Sequence, residues 1–442
     1  MNLEISTEQQ SPAQFVHWFR TVAPYIHAFR GKTFVVAFGG ELIVADKLNS
    51  VVQDLSLLQA IGIKLVVVHG SRPQVNAQLH LKQLHTAFAQ GLRITTPAAL
   101  ECAKEAAGEI RLDIEALFSQ GLPNTAMQNA RVRVLSGNFV TARPVGLVDG
   151  VDFQHTGYVR KVDVDTLRQV IDTGAIALLS PLGFSPTGEA FNLAMEDVAT
   201  QCAIGLNADK LIFLTETPAL QQHEIEYDDA EKLIASAQST GNISAAQIDY
   251  LRHAVRACKG GVERVHIVPF ATDGACLLEI FTHDGIGTMV TEEALESLRN
   301  ATVDDVAAIL TLIEPLEADG TLVKRGRDKI EQEIDLFSVL EHDGKIFGCA
   351  ALYAYPTERM AEMACLTVSP NAQGTGDGER ILKHIEQRAR AAGLKQLFVL
   401  TTRTMHWFIK RGFVAASVDA LPADKQSLYN WQRKSQVLIK TL

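Results

Sequence analysis

Along residues 31–287, short apolar runs rich in β-branched side chains alternate with helical stretches, a rhythm that predicts a mostly parallel sheet flanked by helices. Five runs read as strands: TFVVAFGG (33–40), KLVVVHG (64–70), AIALLSP (175–181), KLIFLTE (210–216) and RVHIVPF (264–270). Each stops at Gly, Pro or a polar residue. Ligands of such sheets bind beyond the carboxyl ends of the strands, so chemistry is sought there first. Near Ile286 the texture changes and an amphipathic helix follows, with Val306, Ile309, Leu310 and Ile313 spaced for one face. This predicts an α/β protein of two domains, 1–294 and 295–442. The second reads as helix, strand pair (FSVLEHDGKIFGCAALYAYP), strand (EMACLTVSP), glycine loop, helix, strand (LKQLFVLTT), helix and final strand.

Length and composition agree with two cores. The chain has 442 residues, 47% hydrophobic and 21% charged, which suits globular domains of roughly 100–200 residues or somewhat more. A formal net charge of −10 argues against nucleic-acid binding, which needs clustered Lys and Arg. The opening MNLEISTEQQSPAQ lacks a basic segment followed by an apolar one, and no apolar run approaches the roughly 18 residues of a membrane span. A soluble, cytoplasmic protein without a membrane partner is expected. Cys102, Cys202, Cys258, Cys276, Cys349 and Cys365 are scattered without a CxxC pair, which predicts buried, reduced thiols and no metal site.

The stretch EMACLTVSPNAQGTGDGERILKHIEQRARAAG runs from an apolar strand through a glycine-rich turn into a long helix. Glycines let backbone N–H groups converge on a pyrophosphate, and the helix N-terminus adds positive character, so a phosphate-bearing ligand fits. The spacing Gln373-x-x-Gly376-x-Gly378, with HWFIKRGFVAAS downstream, resembles the GNAT superfamily of acyl-CoA-dependent N-acetyltransferases. The resemblance implies acetyl-CoA as cosubstrate, held by Gln373, Gly374, Gly376, Gly378 and Glu379. It also implies that the strand from Glu362 to Val368 splays from its neighbour, with Leu366 and Val368 as backbone donors to the thioester carbonyl. An ammonium acceptor must lose a proton before it attacks, and Glu362, placed among Met363, Cys365 and Leu366, is the first choice of base. Cys365 invites an acetyl-thiol intermediate, although direct transfer needs no nucleophile. Many GNAT enzymes carry a tyrosine acid in the late helix. Here the helix has Trp407 and Phe408, which leaves Thr401 or Thr402 as substitutes.

A dicarboxylate acceptor would need cations, and two basic groups offer them: Lys324, Arg325 and Arg327, and Arg433 and Lys434. A protein-lysine acceptor suits these groups less well. The segments FRGKTFVVAFGGE, IKLVVVHGSRPQ, GLRIT, SGNFVTARPVG, GEAFNL, GIGT, ACLTVSP, LFVLTTRTMHWFIKRGF and LYNWQRKSQVL resemble the bacterial N-acetylglutamate synthase family over nearly all of the chain after about residue 14. That resemblance implies glutamate as acceptor, with Arg325 and Arg433 on its carboxylates, Cys365 beside it, Glu362 as base and Thr401 near the sulfur.

The first domain resembles the amino-acid kinase fold, a three-layer α/β/α architecture. Those kinases carry a Lys before Gly-Gly on the first strand and His-Gly-Gly-Gly-Pro after the second. This chain has Ala37-Phe38-Gly39-Gly40 and His69-Gly70-Ser71-Arg72-Pro73, and FNLAMEDVA (191–199) in place of an Asn- and Asp-rich turn. Phosphoryl transfer needs positive charge and open backbone amides, so kinase activity is not expected. The resemblance implies instead an arginine site built from Tyr25, Lys210, His266, Glu279, Gly285 and Gly287, with arginine as feedback inhibitor, and a homo-hexamer. An N-acetylglutamate kinase-like binding protein with an idle acetyltransferase domain is the alternative.

Overall fold

The computed structural model describes residues 12–121, 132–220, 222–240, 243–282, 285–292, 296–342, 345–370, 376–431, 433 and 435–442. It divides into two compact units, Met1–Glu293 and Ala294–Leu442.

In the first unit the five expected strands form at Thr33–Phe38, Lys64–His69, Ile176–Leu179, Lys210–Thr215 and Arg264–Pro269. They are parallel neighbours within an eight-stranded sheet, completed by Val134–Ser136 at one edge and by Thr288–Thr291 and Glu224–Glu226 at the other. Their unbroken apolar character follows from burial on both faces. Val35, Ala37, Val66, Val68, Leu211 and Phe213 feed one core. Phe34, Val36, Phe38, Leu65, Val67 and Ile212 feed the other. Alternation along each strand therefore fills two layers of helices.

The sequence pattern did not mark the second, four-stranded sheet of Val140–Pro144, Gly157–Val162, Leu182–Phe184 and Ala190–Asn192. Several of these strands are too short for alternation to be read.

The second unit is a seven-stranded sheet in the order Glu296–Asn300, Phe337–His342, Lys345–Tyr355, Met360–Val368, Gln396–Thr401, Gln436–Thr441, Val414–Ala416. Helix Asp377–Ala391 packs Ile381, Leu382, Ile385 and Ala389 on one face of it. Helix Val306–Ala318 covers the other with Ile309 and Ile313. The opening strand Glu296–Asn300 and the short helices Arg327–Gln332 and Ala423–Ser427 were not foreseen.

One irregularity organises this sheet. Cys349 faces Thr367 and Ala351 faces Ala364 across the antiparallel pair, so Met360–Val368 carries one residue more than its partner. The extra residue is a bulge at Cys365, whose φ of 55° lies in the left-handed region. Ala361 and Met363 point to the Asp377–Ala391 side, whereas Ala364 and Cys365 both lie on the opposite side, and Leu366 and Val368 return to the first. On its far edge the same strand pairs in parallel with Gln396–Thr401 only at Met360, Ala361 and Glu362. Beyond Glu362 the two strands part.

A branched β-carbon fits poorly at positive φ, so Cys365→Val is expected to lose about 1–2 kcal/mol more stability than the matched Cys349→Val in the same buried cluster. Urea denaturation of both variants measures the difference. Equal losses would remove the left-handed conformation as a constraint.

Candidate active site

Glu362 is the last residue of Met360–Val368 held by its parallel neighbour, and it is buried. Its surroundings are not simply apolar, because Lys425 Nζ from helix Ala423–Ser427 stands 2.6 Å from Glu362 Oε2. Cys365 is brought to the same face by the bulge. Burial, reinforced by the Glu362 charge and opposed by Arg325, pushes its thiol up to about 11. A protonated thiol is a weak nucleophile, which favours direct transfer over an acetyl-thiol intermediate.

Past the bulge at Cys365 the chain is extended again. Ser369 N–H donates to Phe347 O at 2.7 Å, so alternation turns the Leu366 N–H to the other edge, beyond the last residue paired with the Gln396–Thr401 strand. At the end of that neighbouring strand Thr401 is buried, and its Oγ1 accepts from Thr404 N–H at 3.0 Å and meets Thr404 Oγ1 at 2.8 Å. Thr402 is exposed.

Gln373 and Gly374 lie outside the described residues. Gly376 caps helix Asp377–Ala391 with φ of 101°, a conformation that favours glycine, and accepts from Glu379 N–H at 2.9 Å. Gly378 sits in close quarters, since a β-carbon there would stand 3.2 Å from the Trp407 ring and the ring would have to give by a few tenths of an ångström. The Glu379 carboxylate accepts from Arg411 at 3.1 Å, and the Arg411 guanidinium lies 3.9 Å over Trp407. The helix start is thus buttressed by the late helix Met405–Ile409 and the turn after it.

Of the basic groups, Arg325 and Arg433 come together. Arg433 donates to Gly320 O at 3.1 Å and to Thr321 O, and burial together with the Arg325 charge pulls its ionisation down. Arg325 is half-buried and anchored by its backbone N–H to Glu317 Oε1 at 2.7 Å. Burial works against its charge, yet Cys365, Tyr353 and Glu362 outweigh burial and raise it. Arg327 is exposed and engaged with Glu331 at 2.7 Å, and Lys324 is exposed. Lys434 lies outside the described residues. Tyr353, cross-strand from Glu362, donates to Glu333 Oε2 at 2.6 Å. Tyr353 and Lys425 were missed because neither sits in a recognisable motif: Tyr353 joins the site through hairpin register, and Lys425 through a segment far along the chain.

In the first unit the residues expected around an effector also converge. Lys210 Nζ donates to His266 Nε2 at 3.2 Å, and His266 Nδ1 donates to Glu279 Oε1 at 2.7 Å. Glu279 Oε2 accepts from Ile286 and Gly287 N–H, each at 2.8 Å. Burial alone would raise the Glu279 carboxyl, but His266 and the two amides hold it down at about 2. Burial and the Lys210 charge lower His266 to about 4, so the imidazole is neutral and passes hydrogen bonding from cation to anion. Gly285, at φ 59°, passes so close that a β-carbon would stand 2.6 Å from Glu279 Oε2. Lys210 lies 5.1 Å over the Phe29 ring, which in turn meets Tyr25 at 6.1 Å.

A separate cavity of about 250 Å³ opens beyond the strand ends at Gly39, Gly40 and Gly70. Ala37 is fully buried in its strand and supplies no charge there. Glu41, Glu196, Glu216 and Asp249 line the cavity against Arg72 and Arg93, a balance that disfavours a polyphosphate. Among the described residues no helix is long and apolar enough to cross a membrane, and no group of three or more His, Cys, Asp or Glu could hold a metal ion. All six cysteines are buried and free.

Residues 32–269 match the profile of the Amino acid kinase family, and residues 306–413 match that of the Acetyltransferase (GNAT) family. The amino-acid acetyltransferase of Ralstonia nicotianae is 62% identical, with 98% of this chain and 96% of that protein covered. The amino-acid acetyltransferase of Azotobacter vinelandii is 49% identical over 97% of this chain and 99% of that protein. N-acetylglutamate synthase from Neisseria gonorrhoeae, complexed with coenzyme A and L-arginine, superposes with a TM-score of 0.83 at 38% identity, covering 97% of this chain and 99% of that one. The same gonococcal protein has also been solved with coenzyme A and N-acetyl-glutamate.

The depressed Glu279 carboxyl has a consequence for stability. Its folded value of about 2 lies below the ordinary 4.5, so the folded state binds fewer protons than the unfolded state between these values. The resulting stabilisation is complete above pH about 4.5 and fades as pH falls toward 2. Glu279→Gln should therefore lower the melting temperature at pH 7, with a smaller deficit at pH 3.5. A deficit that is constant with pH would show that the carboxylate charge contributes nothing.

Proposed function

Because the chain belongs to the amino-acid acetyltransferase family, we propose that it moves the acetyl group of acetyl-CoA to the α-amino nitrogen of L-glutamate. The products are N-acetyl-L-glutamate and CoA, the reaction is the first step towards arginine, and arginine is its feedback inhibitor. The observation that carries the choice of acceptor is the convergence of Arg325 and Arg433. Two guanidinium groups close enough to depress one of them are relieved by an anion, and guanidinium forks pair bidentately with carboxylates. The gonococcal synthase solved with N-acetyl-glutamate supports the same reading.

In this mechanism Glu362 takes a proton from the substrate ammonium, directly or through water. The freed lone pair attacks the thioester carbon, and the N–C bond forms as the carbonyl becomes an oxyanion. The Leu366 and Val368 N–H groups are the donors assigned to that oxyanion. Its collapse breaks the C–S bond, the new amide nitrogen sheds its second proton, and the departing thiolate takes a proton from the Thr401 hydroxyl, which is restored by taking up the proton the nitrogen has shed. Cys365 lines the acceptor side as a neutral thiol. The pyrophosphate of the cosubstrate lies on Gln373, Gly374, Gly376 and Gly378 at the helix N-terminus, with Glu379 in the same turn.

In the first domain, Tyr25, Lys210, His266, Glu279, Gly285 and Gly287 form the arginine site, with Glu279 facing the guanidinium and Lys210 the carboxylate. Arginine then alters acetyl transfer only through unequal affinity for at least two states of the protein. The same reading makes the protein a cytoplasmic homo-hexamer built through its first domains. The missing strand lysine and the acid-lined cavity favour it over a kinase.

Replacing Arg325 or Arg433 with Ala should raise the KM for glutamate by about tenfold or more, as expected for a lost charged contact of about 2 kcal/mol or more, and spare acetyl-CoA affinity. Steady-state kinetics with unchanged glutamate dependence in both variants would misplace the acceptor pocket. Titrating arginine against initial rates should show weaker inhibition of Glu279→Gln than of the parent. Equal sensitivity would put the effector elsewhere, and no response in either would make the first domain a scaffold.

A further inference from the structure

Glu362 is one of the most thoroughly enclosed carboxylates of the second unit, and an enclosed charge is costly unless a partner compensates it. The charged groups around it come from several elements. Arg325 acts on it from the loop before helix Arg327–Gln332, Cys365 from its own strand, and Tyr355 from the paired strand. Tyr353 stands cross-strand from it. The direct ion-pair partner is Lys425, 2.6 Å from Oε2, with Asp424 preceding it on helix Ala423–Ser427. Both side chains of the pair are largely enclosed, at 22% and 7% exposure, so solvent screens their attraction only in part.

Resting on the base assignment above, we infer that Lys425 is a positioning residue that keeps Glu362 ionised and oriented, with Oε2 engaged and Oε1 left to meet the acceptor. Arg325 cannot fill this role during turnover, because the acceptor carboxylates neutralise it when they bind. Lys425 is then the cation that remains for the base. It also helps the base reset. Once Glu362 has taken the proton, the adjacent ammonium favours its release to solvent and restores the carboxylate.

The test is the pH profile of kcat/KM for glutamate in the full-length protein. An opposite charge at this distance shifts a carboxylate by about one unit or more. Lys425→Met should therefore move the acid limb up by about one pH unit, with about tenfold less activity at pH values below the parent's limb and less than about twofold change on the plateau well above it. Lys425→Gln serves as a second neutral variant, and Lys425→Arg should retain the parent profile. A loss equal at every pH, no loss at all, or a shifted profile in the Arg variant would overturn the inference. Glu362→Gln separates the two levels of argument. If it is inactive while the Lys425→Met profile is unshifted, only the role of Lys425 falls. If it keeps parental rates, the base assignment itself falls.

Discussion

The Met360–Val368 strand is tied to Gln396–Thr401 by three residue pairs and no more, and the chemistry of the second unit depends on that early parting. A fully zipped parallel pair would direct the Leu366 N–H into a ladder. Parted, the strands leave a wedge whose floor is Glu362. The bulge at Cys365 belongs to the same device, since one extra residue bends the strand and changes which side chains face which helix layer. Without it, Cys365 would point with Met363 toward the Asp377–Ala391 helix, away from Arg325.

Charge inside the wedge is arranged in opposition. Arg325 and Arg433 repel one another, which readies the site for a carboxylate, while Glu362 is compensated by Lys425. An enclosed anion beside enclosed cations is costly unless each has a partner, and on the proposed reading the acceptor's carboxylates would complete the set. The loop around Asp319 to Thr321 takes part through Arg433, and through Arg403, which donates to Asp319 at 2.8 Å.

The first unit uses enclosed charge differently. Lys210, His266 and Glu279 form a line in which a neutral imidazole joins cation to anion, and the glycines at 285 and 287 allow the backbone to reach the carboxylate. Most acceptor positions of Glu279 are already occupied, so a guanidinium would enter a prebuilt carboxylate site. The ligand position usual for such sheets, beyond the strand ends at Gly39 and Gly70, has no strand lysine here and is lined by more acidic than basic side chains.

The sequence by itself determined the two-part architecture, the five central strands and the glycine-to-helix turn. Each of these is written in local periodicity or in residues whose backbone needs are particular. Arg325, Arg433 and Glu362 were singled out through motif resemblance. The tertiary structure decided the rest. The short strands of the four-stranded sheet carry too few residues for a period. The bulge falls on a cysteine, which no local rule marks as left-handed. Lys425 meets Glu362 only because Ala423–Ser427 is carried back beside a strand that is distant in sequence. Pairing register and long-range electrostatics are properties of contacts between segments, and a linear pattern records only what each segment prefers alone.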